Sequence, residues 1–224
     1  MPTNLTQLSR FGFVNAYLVA EDDGLTLVDT MLPRSAKAIL RAADALGAPI
    51  VRIALTHAHG DHIGSLDELA AALPGVEVLI STRDERLLDK DKSLDPGERQ
   101  SKVRGSLPGA KTRPTRTFAT GDMVGSLEVV AAPGHTPGHV AFLDRRDATL
   151  LCGDTFTTIG GVATTNKIRL PFPLASMATW DGPTELESAR ALRALEPARL
   201  APGHGKVVDA PLAAMDAAIA KGEA

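Results

Sequence analysis

Three of the chain's six histidines fall between His57 and His62, in the segment THAHGDH at 56–62. Ile50 to Leu55 reads as a short strand running into this segment. Leu66 to Leu73 reads as a helix leaving it, opened by a capping box of Ser65 with Glu68. Imidazole nitrogens and carboxylates are ligands of choice for zinc and similar borderline ions. On a strand end His57 and His59 point to the same side, because side chains alternate with period two, so together they can hold one ion. Asp61 and His62 lie past Gly60 and can face a second. Three more glycine-flanked segments each end a strand and present one ligand-type residue: Pro133-Gly134-His135, Cys152-Gly153-Asp154 and Pro202-Gly203-His204. Loops at strand ends are where a scaffold displays functional groups, and glycine lets backbone approach an ion closely. One such histidine alone would read as a surface or satisfied core residue. The recurrence of all four segments points to a metal site.

The remaining pattern is mixed. Gly12 to Ala20 and Leu25 to Asp29 read as a hairpin about Asp22-Asp23-Gly24. Ser35 to Leu46 has apolar residues on one helical face and Gly47 at its stop. Val76 to Ile80 reads as a strand and Thr82 to Lys90 as a helix. Asp91 to Pro114, rich in Pro, Gly, Ser and basic residues, reads as a long loop or a helix-containing insertion. Strands follow at Arg116 to Ala119, Leu127 to Ala132, His139 to Leu143 and Thr149 to Cys152. A helix from Thr184 to Leu195 opens with a second capping box, Thr184 with Glu187. A short strand from Arg199 to Ala201 and a helix from Pro211 to Lys221 complete the series. Two strand-rich halves suggest two sheets packed face to face with helices outside.

At 224 residues, 44% hydrophobic and 23% charged with a formal net charge of −3, the composition is that of an ordinary globular protein and excludes disorder or a collagen-like fibre. The length fits one domain over 1–224 better than two. Cys152 is the sole cysteine, so no internal disulfide is available. No apolar run reaches the roughly 20 residues of a membrane span, and MPTNLTQLSRFGF lacks the features of a secretory signal, so no membrane association and a cytoplasmic location are expected.

These segments resemble the metallo-β-lactamase superfamily of hydrolases over essentially the whole chain, with five motifs in order: Asp29 closing LTLVD, THAHGDH at 56–62, PGHTPGH at 133–139, CGDT at 152–155 and PGHG at 202–205. The resemblance implies an α+β fold, a four-layer αββα sandwich of two mixed sheets, with the metal site at one edge between them. It implies that His57, His59 and His135 bind a first metal and that Asp61, His62 and His204 bind a second. Asp154 would bridge both, and Asp29 would be a hydrogen-bond acceptor beneath the site. Two divalent ions, zinc foremost with manganese and iron also accommodated, lower the pKa of a shared water toward about 7 and stabilise the oxyanion formed on attack. Asp61 and Asp154 are then the catalytic carboxylates, Asp61 in proton transfer. His139 reads as an orienting partner outside the ligand set.

Departures from other members of the superfamily narrow the reading. Dizinc β-lactamases use a Cys ligand and lack the bridging Asp. Flavodiiron proteins have Glu in place of His59. Glyoxalase II carries a glutathione-binding helical domain, for which the 20 residues after His204 leave no room. Quorum-quenching lactonases place a catalytic Tyr, whereas Tyr17 lies in the N-terminal hairpin. The expectation is a hydrolase of an ester, thioester or lactone of a small molecule. The alternatives are a mononuclear iron sulfur dioxygenase and a phosphodiesterase or nuclease. The last would use Arg99, Lys102, Arg104, Lys111, Arg113 and Arg116, a basic run without an acidic residue. Such a run captures anions or is simply a solvated loop; it lacks aromatic residues for base stacking, so nucleic acid is disfavoured as a partner. Phe156, Phe172 and Trp180, between two ligand segments, are candidates to line the substrate pocket or to anchor their loop on the core. The oligomeric state stays open, a homodimer included.

Overall fold

Alternation along the strands assigns each buried side chain to one of three apolar layers, and the layers define the architecture. The structure is a computed structural model that describes residues 4–224. Strands β1 (Leu5–Arg10), β2 (Val14–Glu21), β3 (Gly24–Val28), β4 (Ile50–Ala54), β5 (Glu77–Ser81) and β6 (Arg116–Phe118) form one sheet in that order. Its first three strands are antiparallel, and its last four run parallel. The second sheet has the order β13 (Val208–Asp209), β12 (Arg199–His204), β10 (Thr149–Thr157), β9 (Val140–Asp144), β8 (Leu127–Ala131) and β7 (Met123–Val124), with β11 (Ala163–Thr164) paired to the far end of β10. Only the pairing of β10 with β12 is parallel there.

In β2, Leu18 faces away from the second sheet while Tyr17 and Val19 face it; in β9, Phe142 faces the first sheet while Ala141 and Leu143 face away. The layer between the sheets joins Tyr17, Val28, Leu79 and Phe118 to Val129, Phe142 and Leu151. Outside the first sheet, Leu27 and Ile53 pack on Ile39 of α1 (Ala36–Leu46), Leu66 and Leu69 of α2 (Leu66–Ala72) and Leu87 of α3 (Glu85–Leu88). Outside the second, Leu143, Leu150 and Cys152 pack on Leu186, Ala189 and Leu192 of α5 (Gly182–Ala194) and Met215 and Ala218 of α6 (Leu212–Glu223). The expected α+β sandwich of two mixed sheets is therefore the observed one.

Several local expectations are corrected. The sequence pattern signals neither β1 nor the five-residue helix α4 (Leu174–Ala178). The helix expected over Thr82 to Lys90 shortens to one turn, Glu85–Leu88. Neither capping box forms. Ser65 turns its hydroxyl to the carbonyl of Leu32 and accepts from the Ser35 amide, each at 2.8 Å, which ties α2 to α1 instead of capping α2. α5 starts earlier, at Gly182, because Asp181 caps it, its carboxylate accepting from the Thr184 amide at 3.2 Å. β10 runs past Cys152 to Thr157 through a bulge at Gly153, whose φ of 51° turns the strand without ending it. The segment between α3 and β6 carries no helix or strand.

Candidate metal centre

Four connections on one edge of the sandwich bring the donors together. His57 and His59 follow β4, and Asp61 and His62 lie in the turns before α2. His135 sits between β8 and β9, Asp154 lies just past the bulge in β10, and His204 ends β12. His57, His59 and His135 converge on one side. His57 and His62 meet Asp154, and Asp61, His62 and His204 converge on the other side, with the donor atoms of each trio within 4.8 Å of one another. His57 Nε2 and His135 Nε2 stand 3.1 and 3.0 Å from His59 Nδ1. Ligands of a tetrahedral ion at about 2.0–2.1 Å lie about 3.3 Å apart, so this spacing is that of a coordination shell. The Asp154 carboxylate lies between the trios: Oδ2 is 3.2 Å from both His135 Nε2 and His204 Nε2, and Oδ1 is 3.3 Å from His62 Nε2. Asp61 Oδ2 is 3.4 Å from His204 Nε2.

The outer hydrogen bonds decide which nitrogen of each ring faces inward. His59 Nε2 donates to the Arg104 carbonyl at 3.0 Å, His62 Nδ1 to Asp29 Oδ2 at 2.8 Å and His204 Nδ1 to the Phe13 carbonyl at 2.9 Å. The Thr56 hydroxyl gives its own proton to Asp29, and that of Thr179 gives its proton to backbone carbonyls. Each can therefore only accept from its histidine, His57 Nδ1 or His135 Nδ1, both at 3.0 Å. All five rings thus turn their other nitrogen, the one that would ligate an ion, toward one another and toward Asp154. Lone pairs at this spacing repel unless a cation lies between them. His62 Nε2 and Asp154 Oδ1 are buried without a hydrogen-bond partner among the described residues, which fits the same requirement.

Electrostatics follow the arrangement. Burial, reinforced by the neighbouring histidines, pushes His57 well below the usual imidazole range and His59 down to about 3, so both are neutral as ligation requires. Burial also depresses His62 and His204, but the carboxylate of Asp154, with Asp29 beside His62, overrides it and holds both above their usual value, so an ion binding there must displace a proton that Asp154 favours on each ring. Asp154 meets an opposing desolvation, yet His204, His62 and His135 keep it well below the carboxylate range. His139 stays out of the donor trios. Its Nδ1 donates to the Ala132 carbonyl at 2.9 Å, and its Nε2 accepts the Asp154 amide at 3.0 Å, fixing the backbone that carries the carboxylate. Asp29 lies beneath the cluster and accepts from the Thr56 amide and hydroxyl as well as from His62.

A cavity of about 560 Å³ opens onto the donors, lined by His59, Asp61, His135, Asp154 and His204 and by apolar residues. Phe172 lines it, its ring 4.9 Å from that of His204. Phe156 and Trp180 do not. Phe156 is fully buried against the helices outside the second sheet. Trp180 packs with the apolar layer of the first sheet, and its Nε1 donates to the Ser101 carbonyl at 2.9 Å. The indole is thus an anchor for residues 101–108, which cross the site.

The backbone of the basic run is part of that crossing. Val103 and Leu107 are buried, the Gly60 amide donates to the Ser106 carbonyl at 2.9 Å, and the Arg104 carbonyl holds His59. Gly105 is required where the strap passes over His59, since its φ is 82° and a Cβ there would overlap the imidazole. Arg99, Arg113 and Arg116 pair with Asp181, Asp89 and Glu77. The backbone of residues 101–108 is thus a wall of the site, while the six basic side chains of the run stay exposed, as in a solvated loop.

Asp84 holds the site together without any motif in the sequence to mark it. It precedes α3, yet its fully buried carboxylate caps nothing. Instead it accepts from the Thr136 hydroxyl at 2.6 Å, the Gly138 amide at 2.8 Å and the Ala58 amide at 3.3 Å, clamping the His57–His59 loop to the His135 loop. Tyr17, with Asn15, holds the His204 segment from beneath, its hydroxyl donating to the Pro202 carbonyl at 2.6 Å.

Known proteins match both sequence and fold. The family model of the metallo-β-lactamase superfamily matches residues 9–204. The chain is 44% identical over 209 residues to the uncharacterized protein YobT of Bacillus subtilis (strain 168), covering 93% of this chain and 90% of that one. It is 33% identical over 145 residues to a hydroxyacylglutathione hydrolase of Gloeobacter violaceus, covering 63% of this chain and 48%, about half, of that one. Among solved structures, TTHA1623 in a di-iron-bound form superposes with a TM-score of 0.68 at 28% identity, covering 93% of this chain and 95% of that one. The chain belongs to the metallo-β-lactamase superfamily, whose members are generally hydrolases.

Proposed function

We propose that the chain is a two-metal hydrolase that cleaves an ester, thioester or lactone of a small molecule. The observation that carries this reading is the Asp154 carboxylate set between two donor trios, with five imidazole nitrogens turned inward. His57, His59 and His135 would hold one ion, Asp61, His62 and His204 the other, and Asp154 both. Divalent ions in such a site polarise a carbonyl and acidify bound water toward neutrality. The donor set suits zinc and also accommodates manganese and iron. The di-iron-bound form of a similar structure keeps iron in view.

The protein's own groups supply the rest. The outer hydrogen bonds hold each ring in one orientation, so little reorganisation is needed on binding. Asp61 is the donor with real solvent access, its side chain 33% exposed, and it lines the cavity, so it can hold or pass a proton between substrate and solvent. A second trio beyond Asp154 favours this reading over a one-iron sulfur dioxygenase. The absence of Lys and Arg among the described cavity-lining residues favours it over a phosphodiesterase.

The test is a screen of lactones, thioesters, esters and phosphodiesters with protein loaded with zinc, manganese or iron. Metal-dependent turnover of an acyl compound, lost in Asp154→Asn, supports the reading. Turnover of phosphodiesters alone, or oxygen consumption with one iron per chain, contradicts it.

A further inference from the structure

The cavity that opens onto the donors is chemically one-sided. Beyond the His and Asp side chains of the metal centre and Ser106, its walls are apolar, chiefly Phe13, Leu32, Pro33, Pro108, Phe172 and Leu174. Among the described lining residues the only charged groups outside the histidines are Asp61 and Asp154. A carboxylate or phosphate carried on a substrate's tail would find no counter-charge along these walls and would lose hydration on entry. An alkyl chain would lose nothing and gain burial.

The apolar character also continues outward from the reacting end. The Phe172 ring lies 4.9 Å from that of His204 and 6.0 Å from that of Phe13, which in turn lies 6.4 Å from that of Phe11. Leu174 lines the cavity while 59% exposed. Leu174 therefore presents apolar surface to the cavity and to solvent at once, where an apolar ligand can cover it.

We propose that this trough takes the apolar acyl arm of an uncharged, medium-chain substrate, with Phe172 and Leu174 setting the chain length it accepts. The proposal rests on the hydrolase reading for the reacting end. For the arm it rests on the wall residues alone. Each methylene fully buried is worth up to about fourfold in affinity.

The test has two parts. In the first, kcat/KM is measured for p-nitrophenyl acetate, butyrate, hexanoate, octanoate and decanoate with the zinc-loaded protein, alongside the anionic glutarate monoester. A rise of at least about tenfold from acetate to the best chain is expected, with the glutarate ester below the neutral hexanoate. Leu174→Glu and Phe172→Ala should both lower the ratio of the longer ester to acetate. In the second, calorimetry compares binding of acetamide and octanamide to the purified protein, which needs no turnover; octanamide should bind at least about tenfold more tightly. Chain-length-dependent amide binding without turnover of any acyl compound would support the trough and overturn the hydrolase reading. Turnover with a flat or falling chain-length profile, a preference for the glutarate ester, or unchanged ratios in both variants would overturn the trough while leaving hydrolysis intact.

Discussion

Replacing Asp84 by Asn tests whether the donor loops are held by one buried carboxylate. Both oxygens of Asp84 are in use, Oδ1 by the Gly138 amide and Oδ2 by the Thr136 hydroxyl and the Ala58 amide. Burial pushes its carboxyl pKa up, and these three donors offset only part of that push. An amide side chain keeps one acceptor oxygen, so its NH2 must face either the Gly138 or the Ala58 N–H. The Thr136 hydroxyl can reverse, but the backbone amides cannot. One buried donor is then left unpaired, at about 1–3 kcal/mol, and relief of the buried charge returns a fraction of it. A net loss of about 2 kcal/mol is expected for Asp84→Asn, and about 4 kcal/mol for Asp84→Ala, which strands all three donors. Urea unfolding of the metal-free protein measures this directly. Zinc affinity, read by chelator competition, should also fall by about tenfold in Asp84→Asn, because the His57–His59 and His135 loops lose their common tie. An Asn variant with an unchanged urea midpoint and unchanged zinc affinity would refute the clamp.

Three further outcomes are expected. In Gly203→Ala the new methyl would overlap Asp154 Oδ1 and lie 2.7 Å from His62 Cε1, so zinc affinity should fall by at least about tenfold; affinity equal to that of the parent would show that the carboxylate has room to move. Trp180→Phe removes the hydrogen bond to the Ser101 carbonyl and should cost about 1 kcal/mol. It should also speed limited proteolysis within residues 101–108, whereas altered substrate preference with full stability would mean that the indole reaches the cavity. Asp67 ties Lys111 and Thr112 to α2; against some desolvation, the Thr112 and Lys111 donors hold its carboxyl below the usual range. Its contribution to stability is therefore present above the unfolded carboxylate pKa of about 3.9 and lost as pH falls through the lower folded value. Asp67→Asn should lower Tm at pH 7 and converge with the parent near pH 2–3; an equal gap at both pH values would sink this.

The donors were legible in the sequence because they sit beside glycines at strand ends or, for Asp154, at a bulge within β10, where local chemistry and position coincide. The sandwich was legible for a similar reason: period-two alternation in β2, β9 and β10 is a local signal for layers that form between distant segments. The capping boxes were misread because a Ser or Thr hydroxyl chooses among acceptors that only the fold supplies. Ser65 found the Leu32 carbonyl, and Thr184 found the Asp181 carboxylate. β1 hid for want of alternation, since its side chains are half-buried along nearly its whole length. Phe156 and Trp180 belong to the core because an aromatic between two ligand segments in sequence can lie on either face of the sheet that carries them. Asp84 and the Arg104 carbonyl carry no sequence signal at all. One looks like an ordinary helix cap, and the other is backbone, yet Asp84 ties the loops that carry the donors and the Arg104 carbonyl holds His59 itself, each from a segment far along the chain.

The most direct test of the two-ion centre is metal stoichiometry, measured by mass spectrometry on protein reconstituted with zinc and freed of excess ion. Two zinc ions per chain are expected for the parent and no more than one for Asp154→Asn, with the variant still folded by circular dichroism. A parent that binds one ion or none, or an Asp154→Asn variant that retains two, would contradict a carboxylate shared between two ions.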